Sequence, residues 1–344
     1  MSSTHPYGAP LPPGYGPQLL APPPVDQHGP ARPYTALLRG AQHRWWRPLL
    51  SLAVVLGGLL IATGLLTVAF GVGIYLDPGV ALVDLSTAGG AGELLTAWWA
   101  FLLQNLYLAV GIPLAGLAVW AGHGWRPGYV SSVVGRLRWG WLGVASLAAA
   151  VVTVVSVGLS FLLDGGFAWA PEEQAALLIL AVLLTTPLQA AGEEYAFRGW
   201  LSQAVGSWFA RPVVGALVAG AFSATLFAIA HGTQGPWLFA DRFAFGVVAS
   251  ILVWRTGGLE AAVALHALNN MVIFVPTVLT GGLAEAFETT ALPWQAFVAD
   301  VVAMSVAVVV LDRLARRRRL QRTQTALVPP PRGARPLQAA PAVR

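Results

Sequence analysis

The stretch AALLILAVLLTTPL, residues 175 to 188, runs directly into Gly192-Glu193-Glu194-Tyr195-Ala196-Phe197-Arg198-Gly199. An apolar run long enough for most of a membrane span therefore ends in two carboxylates and a guanidinium. Ionisable groups at bilayer depth cost about 3 kcal/mol each on insertion scales, so they are kept for a partner or a function. Two histidines lie in later apolar segments, each with a neighbour at helical spacing: Phe227 four residues before His231, and Asn270 four residues after His266. These residues read as one buried polar site.

The composition agrees with a membrane setting. Of 344 residues, 56% are hydrophobic and only 10% charged, too few for the charged exterior a soluble domain of this size needs. The predicted fold class is all-α, a polytopic bundle of eight transmembrane helices around a polar intramembrane site. Apolar segments fall at 49–75, 94–121, 139–163, 175–205, 213–231, 236–254, 259–279 and 292–312, most of them near the roughly 20 residues a span requires. Residues 1–43, rich in Pro and Gly, are expected to be a disordered tail without a cleavable leader, 44–320 the membrane domain, and 321–344 a second disordered tail.

The 20 basic residues are all arginine, and there is no cysteine. Disulfides, thiolate metal ligands and a cysteine nucleophile are thereby excluded. The arginine excess sits in the tails and in alternate short connections, as Arg126, Arg136 and Arg138, then Arg211, then Arg255, then Arg313 to Arg319. The opposite connections carry Asp77, Asp84 and Glu93, then Asp164, Glu172 and Glu173, then Glu285 and Glu288. This pattern marks topology rather than a nucleic-acid-binding face, and it places both termini in the cytoplasm. A location in a bacterial cytoplasmic membrane is expected, with the lipid bilayer as partner and the oligomeric state left open.

On a helix, Glu194 and Arg198 stand at i and i+4, where a carboxylate N-terminal to a cation pairs well. That pair reads as structural. Glu193 is rotated by about 100° from its neighbour and is left free to act as a base. Glu193 and His231 each lie 19 positions from Pro212. If both helices run that far, the two residues sit at similar depth, ~28 Å from the turn at 1.5 Å per residue, and could share a water. His266 and Asn270 occupy one face of the seventh segment. His266 lies only nine positions from Gly257, a shallower depth that would be reconciled if segment four extends beyond the bilayer. A cavity between segments four, five and seven is expected to admit water and an extended peptide. Asp241 and Arg242 on segment six are adjacent and cannot face one another; Asp300 on segment eight is the expected partner of Arg242.

Three motifs now stand in order: GEEYAFRGW contains EExxxR, FAIAH contains FxxxH, and HALNN contains HxxxN. Over roughly 175–280 the chain resembles the CPBP membrane proteins, the group of type II CAAX prenyl endopeptidases and bacteriocin-processing Abi proteins. The resemblance implies an intramembrane endopeptidase acting on a peptide or membrane-protein substrate. It implies that Glu193 activates water with His231, that His266 and Asn270 hold the oxyanion, and that Glu194 and Arg198, with Phe227, support the site. Members are often labelled metalloproteases. Here HExxH is absent and Asn270 is a poor zinc ligand, so no cofactor is favoured; the alternative is zinc held by Glu193, His231 and His266. Two further readings remain: a catalytically silent binding or escort protein, and a proton-coupled transporter, for which no internal repeat is found.

Overall fold

Between Arg47 and Asp77 no ionisable side chain but Tyr75 interrupts the chain, and the segment forms a single helix, α1 (Arg47–Leu76), with Pro48 in its first turn. Proline is tolerated there because the first N–H groups of a helix lack intrahelical partners. The computed structural model describes residues 31–324, apart from 41–42, 81–82, 84–87 and 164–165. Asp84, Asp164 and most of both expected tails lie outside the described residues.

The chain continues through α2 (Ala88–Leu94), α3 (Trp98–Ala109), α4 (Gly111–His123) and α5 (Trp139–Leu163). Next come α6 (Ala175–Glu194), a π-helical turn (Tyr195–Leu201) and α7 (Ser202–Gly206). The last elements are α8 (Pro212–Ile229), α9 (Pro236–Thr256), α10 (Glu260–Leu279), α11 (Leu283–Glu288) and α12 (Trp294–Arg317). Eight helical stretches among the described residues are long and apolar enough to cross a membrane: α1, α3 with α4, α5, α6 through α7, α8, α9, α10 and α12. They coincide with the eight apolar segments of the sequence. The fold is all-α, and the protein is an integral membrane protein.

The helix α10 is central, packing against α5, α6 and α9, while α6 packs against α3 and α8 against α9. Glycine sets the closest crossing. A Cβ on Gly192 would collide with the Leu108 carbonyl, and one on Gly111 with the Gly192 carbonyl. The junction of α3 and α4 thus lies directly against the residue before Glu193. Asn105 on α3 adds a polar tie by donating to Thr185 Oγ1 at 2.8 Å and Thr186 Oγ1 at 3.2 Å on α6. A buried amide in a bundle is stabilised by such partners.

Two boundaries differ from the sequence expectation. Residues 34–38, assigned to the first tail, are packed: Tyr34 and Leu37 are 0% exposed and Leu38 1%. Three large apolar side chains in five residues supply the burial. The Tyr34 hydroxyl donates to the Val130 carbonyl, and Arg39 Nη1 donates to the Ser207 carbonyl at 2.8 Å. Burial pushes the Tyr34 hydroxyl well above its ordinary pKa, keeping it a donor. At the other end, Gln321 and Arg322 are held rather than loose. Arg138 donates to the Gln321 carbonyl at 3.1 Å, and Arg322 reaches Asp312 at 3.4 Å.

Candidate active site

Glu193 and Glu194 end α6 where the backbone widens into the π turn. Such turns recur at functional sites because they break the regular hydrogen-bond ladder. Here the Phe197 carbonyl is taken up by Ser202 Oγ at 3.0 Å and Ser223 Oγ at 2.8 Å. The i,i+4 pair read from the sequence is present: Arg198 Nη1 donates to Glu194 Oε1 at 2.9 Å, with both side chains 0% exposed. The guanidinium carbon sits 4.1 Å from the centre of the Phe227 ring, with Phe197 and Phe245 also near. Aromatic faces attract a desolvated cation, and Arg more often than Lys. Gly246 makes room for it, since a Cβ there would come within 3.1 Å of Arg198 Nη2.

His266, on α10, is buried between the two carboxylates. Its Nδ1 lies 2.9 Å from Glu194 Oε1, and its Nε2 lies 3.6 Å from Glu193 Oε2. An ionised carboxylate only accepts, so Nδ1 carries a proton, and Nε2 is turned toward Glu193. Phe227 and Phe245 clamp the ring edge-to-face, at 5.9 and 4.9 Å between centroids. The supporting place given to Phe227 by its spacing is thus a physical one, since it touches Arg198 and both histidines.

Glu193 is held on one oxygen. Gln189 Nε2 donates to its Oε1 at 2.8 Å, and Asn270 Nδ2 donates to Gln189 Oε1 at 3.2 Å. Its Oε2 is buried and has no hydrogen-bond partner among the described residues. Gln189 has no place in the three motifs. The signal that could have marked it is its position one turn before Glu193, on the same helix face.

The hairpin count about Pro212 does not describe the connection. The fourth span ends at Gly206, and α8 ends at Ile229, so His231 lies beyond its helix. His231 is exposed at the rim, with Nδ1 2.7 Å from the Phe227 carbonyl. The carbonyl fixes Nδ1 as the donor and leaves Nε2 free. Desolvation holds the His231 pKa below its ordinary value, with the Glu193 carboxylate pulling the other way. No described hydrogen bond or ion pair joins His231 to Glu193; the histidine nearest Glu193 Oε2 is His266. The early end of α7 also shortens the distance of Glu193 from its turn, which reduces the depth difference from His266.

Arg242 does not pair with Asp300. Its Nη1 donates to Gln234 Oε1 at 2.8 Å and lies 3.5 Å from the His231 carbonyl, while Gln234 Nε2 donates to the Ala228 carbonyl at 2.5 Å. The cation braces the turn that carries His231, because that turn offers acceptors left over at the end of α8. A cavity of about 650 Å³ is lined by residues that include Leu117, Trp120, Pro127, Gly128, Ser131 and Tyr195. It is not the expected one between segments four, five and seven. Among the described residues, no three His, Asp or Glu side chains are grouped to hold a metal ion.

Fold and site define a polytopic helical membrane protein with a Glu, Arg and His cluster inside the bundle. Residues 174–272 match the family model Rce1-like, described as type II CAAX prenyl endopeptidase Rce1-like. All three motifs fall within that segment, so the resemblance drawn from them holds there. The chain is also similar to the uncharacterized protein YyaK of Bacillus subtilis (strain 168), 31% identical over 128 residues. That match covers 35% of this chain and 43% of YyaK, so less than half of the relative is spanned. No solved structure matches the chain.

Proposed function

We propose that this protein is an intramembrane endopeptidase that hydrolyses a peptide bond of a membrane-associated substrate with Glu193 as general base. One observation carries the reading: the free, buried Oε2 of Glu193 faces Nε2 of His266 across 3.6 Å. With the His266 ring neutral, both atoms are acceptors, and a water at hydrogen-bond distance from both supplies the proton between them. The water oxygen attacks the scissile carbonyl carbon while its proton passes to Glu193. As the C–N bond breaks, Glu193 returns that proton to the leaving nitrogen, giving a carboxylic acid and an amine.

Each remaining residue has a part. Arg198 neutralises Glu194, so Glu193 and His266 work beside a paired charge rather than a naked one. Asn270 keeps a second N–H that can meet the oxyanion, a part the family resemblance gives to Asn270 with His266, while the resemblance gives His231 at the rim a share in activating the water. The reaction is proposed to run without a metal. Support comes from the donor set, since Asn270 is a poor zinc ligand and no three His, Asp or Glu side chains converge among the described residues. Both termini are placed in the cytoplasm, on the side of the arginine-rich connections.

The test compares membrane fractions from cells carrying the wild-type protein and Glu193→Ala. The proposal expects new protein termini in the wild type alone, which also identifies the substrate. Identical sets of termini, with both proteins present in equal folded amount, would favour the binding or escort reading instead.

A further inference from the structure

We infer that Gln189 is the positioning residue of the site: its side-chain amide anchors one oxygen of Glu193 and leaves the other turned toward His266. This rests on the peptidase reading above. Gln189 is 6% exposed and stands four residues before Glu193 on α6. The direction of its amide follows from its partners. A carboxylate only accepts, so the nitrogen faces Glu193 Oε1 at 2.8 Å, and the amide oxygen is left to accept from Asn270 at 3.2 Å. One side chain thereby fixes two site residues that come from two helices, α6 and α10.

The chemistry needs such an anchor. A glutamate has three side-chain torsions, and a carboxylate free to turn would offer either oxygen to the water in many poses. Fixing Oε1 leaves Oε2 as the proton acceptor in one pose, and misplacement by even 1 Å can cost on the order of a hundredfold in rate. The anchor is also neutral. A cation in its place would pair with Glu193 and weaken it as a base. A plain interhelical tie between α6 and α10 would use the same contacts, and the test separates the two.

The full-length protein in detergent is treated at pH 7 with dicyclohexylcarbodiimide, an apolar reagent that modifies protonated carboxyls, and the modified positions are read by peptide mass spectrometry. Loss of the N–H donor destabilises the charged form of Glu193. Its labelling is expected to rise at least fivefold in Gln189→Met and in the smaller Gln189→Ala. Asn270→Leu breaks the same interhelical tie but spares the Glu193 contact, and its labelling should stay within twofold of wild type. Labelling unchanged in both folded Gln189 variants, or raised equally in Asn270→Leu, overturns the inference.

With the substrate identified from the termini comparison, Gln189→Met should lower kcat ten- to a hundredfold and leave KM within threefold. A fall confined to KM would also overturn it. The two readings fail separately. A labelling shift in a protein that generates no new termini removes the peptidase and keeps the Gln189 contact. New termini with labelling unmoved do the reverse.

Discussion

Arg138 and Glu260, where α10 begins, complete one another and their surroundings. Both oxygens of Glu260 accept from the Arg138 side chain, at 2.8 and 2.6 Å, and the remaining guanidinium nitrogen donates to the Thr256 and Gln321 carbonyls. Arg198 and Glu194, in the interior, share a single bond. Among the described residues, Glu194 Oε2, Arg198 Nε and Arg198 Nη2 are buried without a hydrogen-bond partner, and so is the neighbouring Glu193 Oε2. Both regions hold a buried Arg–Glu pair in the same bundle, yet one is saturated and the other is not. A saturated network rigidifies the fold, while unsatisfied buried atoms mark strain or places kept for water and substrate. The difference distinguishes a clamp from a reaction site.

The largest effect expected from breaking the interior region is on folding. Glu194→Gln leaves Arg198 as an uncompensated buried cation and should cost about 3–5 kcal/mol. Thermal unfolding of the purified protein in detergent checks this; an unchanged midpoint would remove the structural role of Glu194. Breaking the clamp with Arg138→Met should cost somewhat less, about 2–3 kcal/mol, because the backbone N–H of residue 138 still donates to Glu260 Oε1 at 2.9 Å. Cleavage per folded molecule should then stay normal. A loss of activity greater than the loss of folded protein would mean that the clamp also shapes the site.

A smaller effect concerns pH. Desolvation holds the His231 pKa below its ordinary value of about 6.5, so its folded-state charge appears only on further acidification. Any stability tied to the neutral ring is full above that ordinary value and is lost as pH falls through the lowered one. Cleavage limited by the neutral ring should therefore persist through pH 6.5 and decline only below it. A decline already under way between pH 8 and 7 would contradict this. The least perturbing measurement is metal content. Active, purified protein should carry far less than one zinc per chain and should keep its activity in chelator, whereas stoichiometric zinc whose removal and return switch activity would overturn the metal-free proposal.

The spans were legible because each apolar run is long and bounded by arginines, acids or prolines, and hydrophobic length is a direct physical requirement of the bilayer. The Glu194–Arg198 pair was legible because it is local, set by helical spacing alone. What spacing could not give was anything set by irregular backbone. The depth of His231 was counted from Pro212, but the chain leaves the helix at Gly206 and again at Ile229. The same break sends Arg242 to the His231 turn instead of to Asp300. Gln189 escaped notice because a glutamine in an apolar helix is ordinarily interhelical glue. Its meaning depends on which helix lies opposite, and a single sequence does not encode that in any local pattern. Tyr34, Leu37 and Leu38 were hidden by the Pro- and Gly-rich composition around them.

The central claim is that two adjacent carboxylates divide the work, Glu193 for chemistry and Glu194 for architecture. It is tested most directly by cleavage per folded molecule in Glu193→Gln and Glu194→Gln, measured beside wild type on the substrate revealed by the termini comparison. The account predicts that Glu193→Gln folds like wild type and loses cleavage by at least about a hundredfold, the low end of what a general base supplies. Glu194→Gln should lose folded protein, while its surviving folded molecules keep the greater part of their activity. Equal loss per folded molecule in the two variants, or full activity in Glu193→Gln, would contradict it.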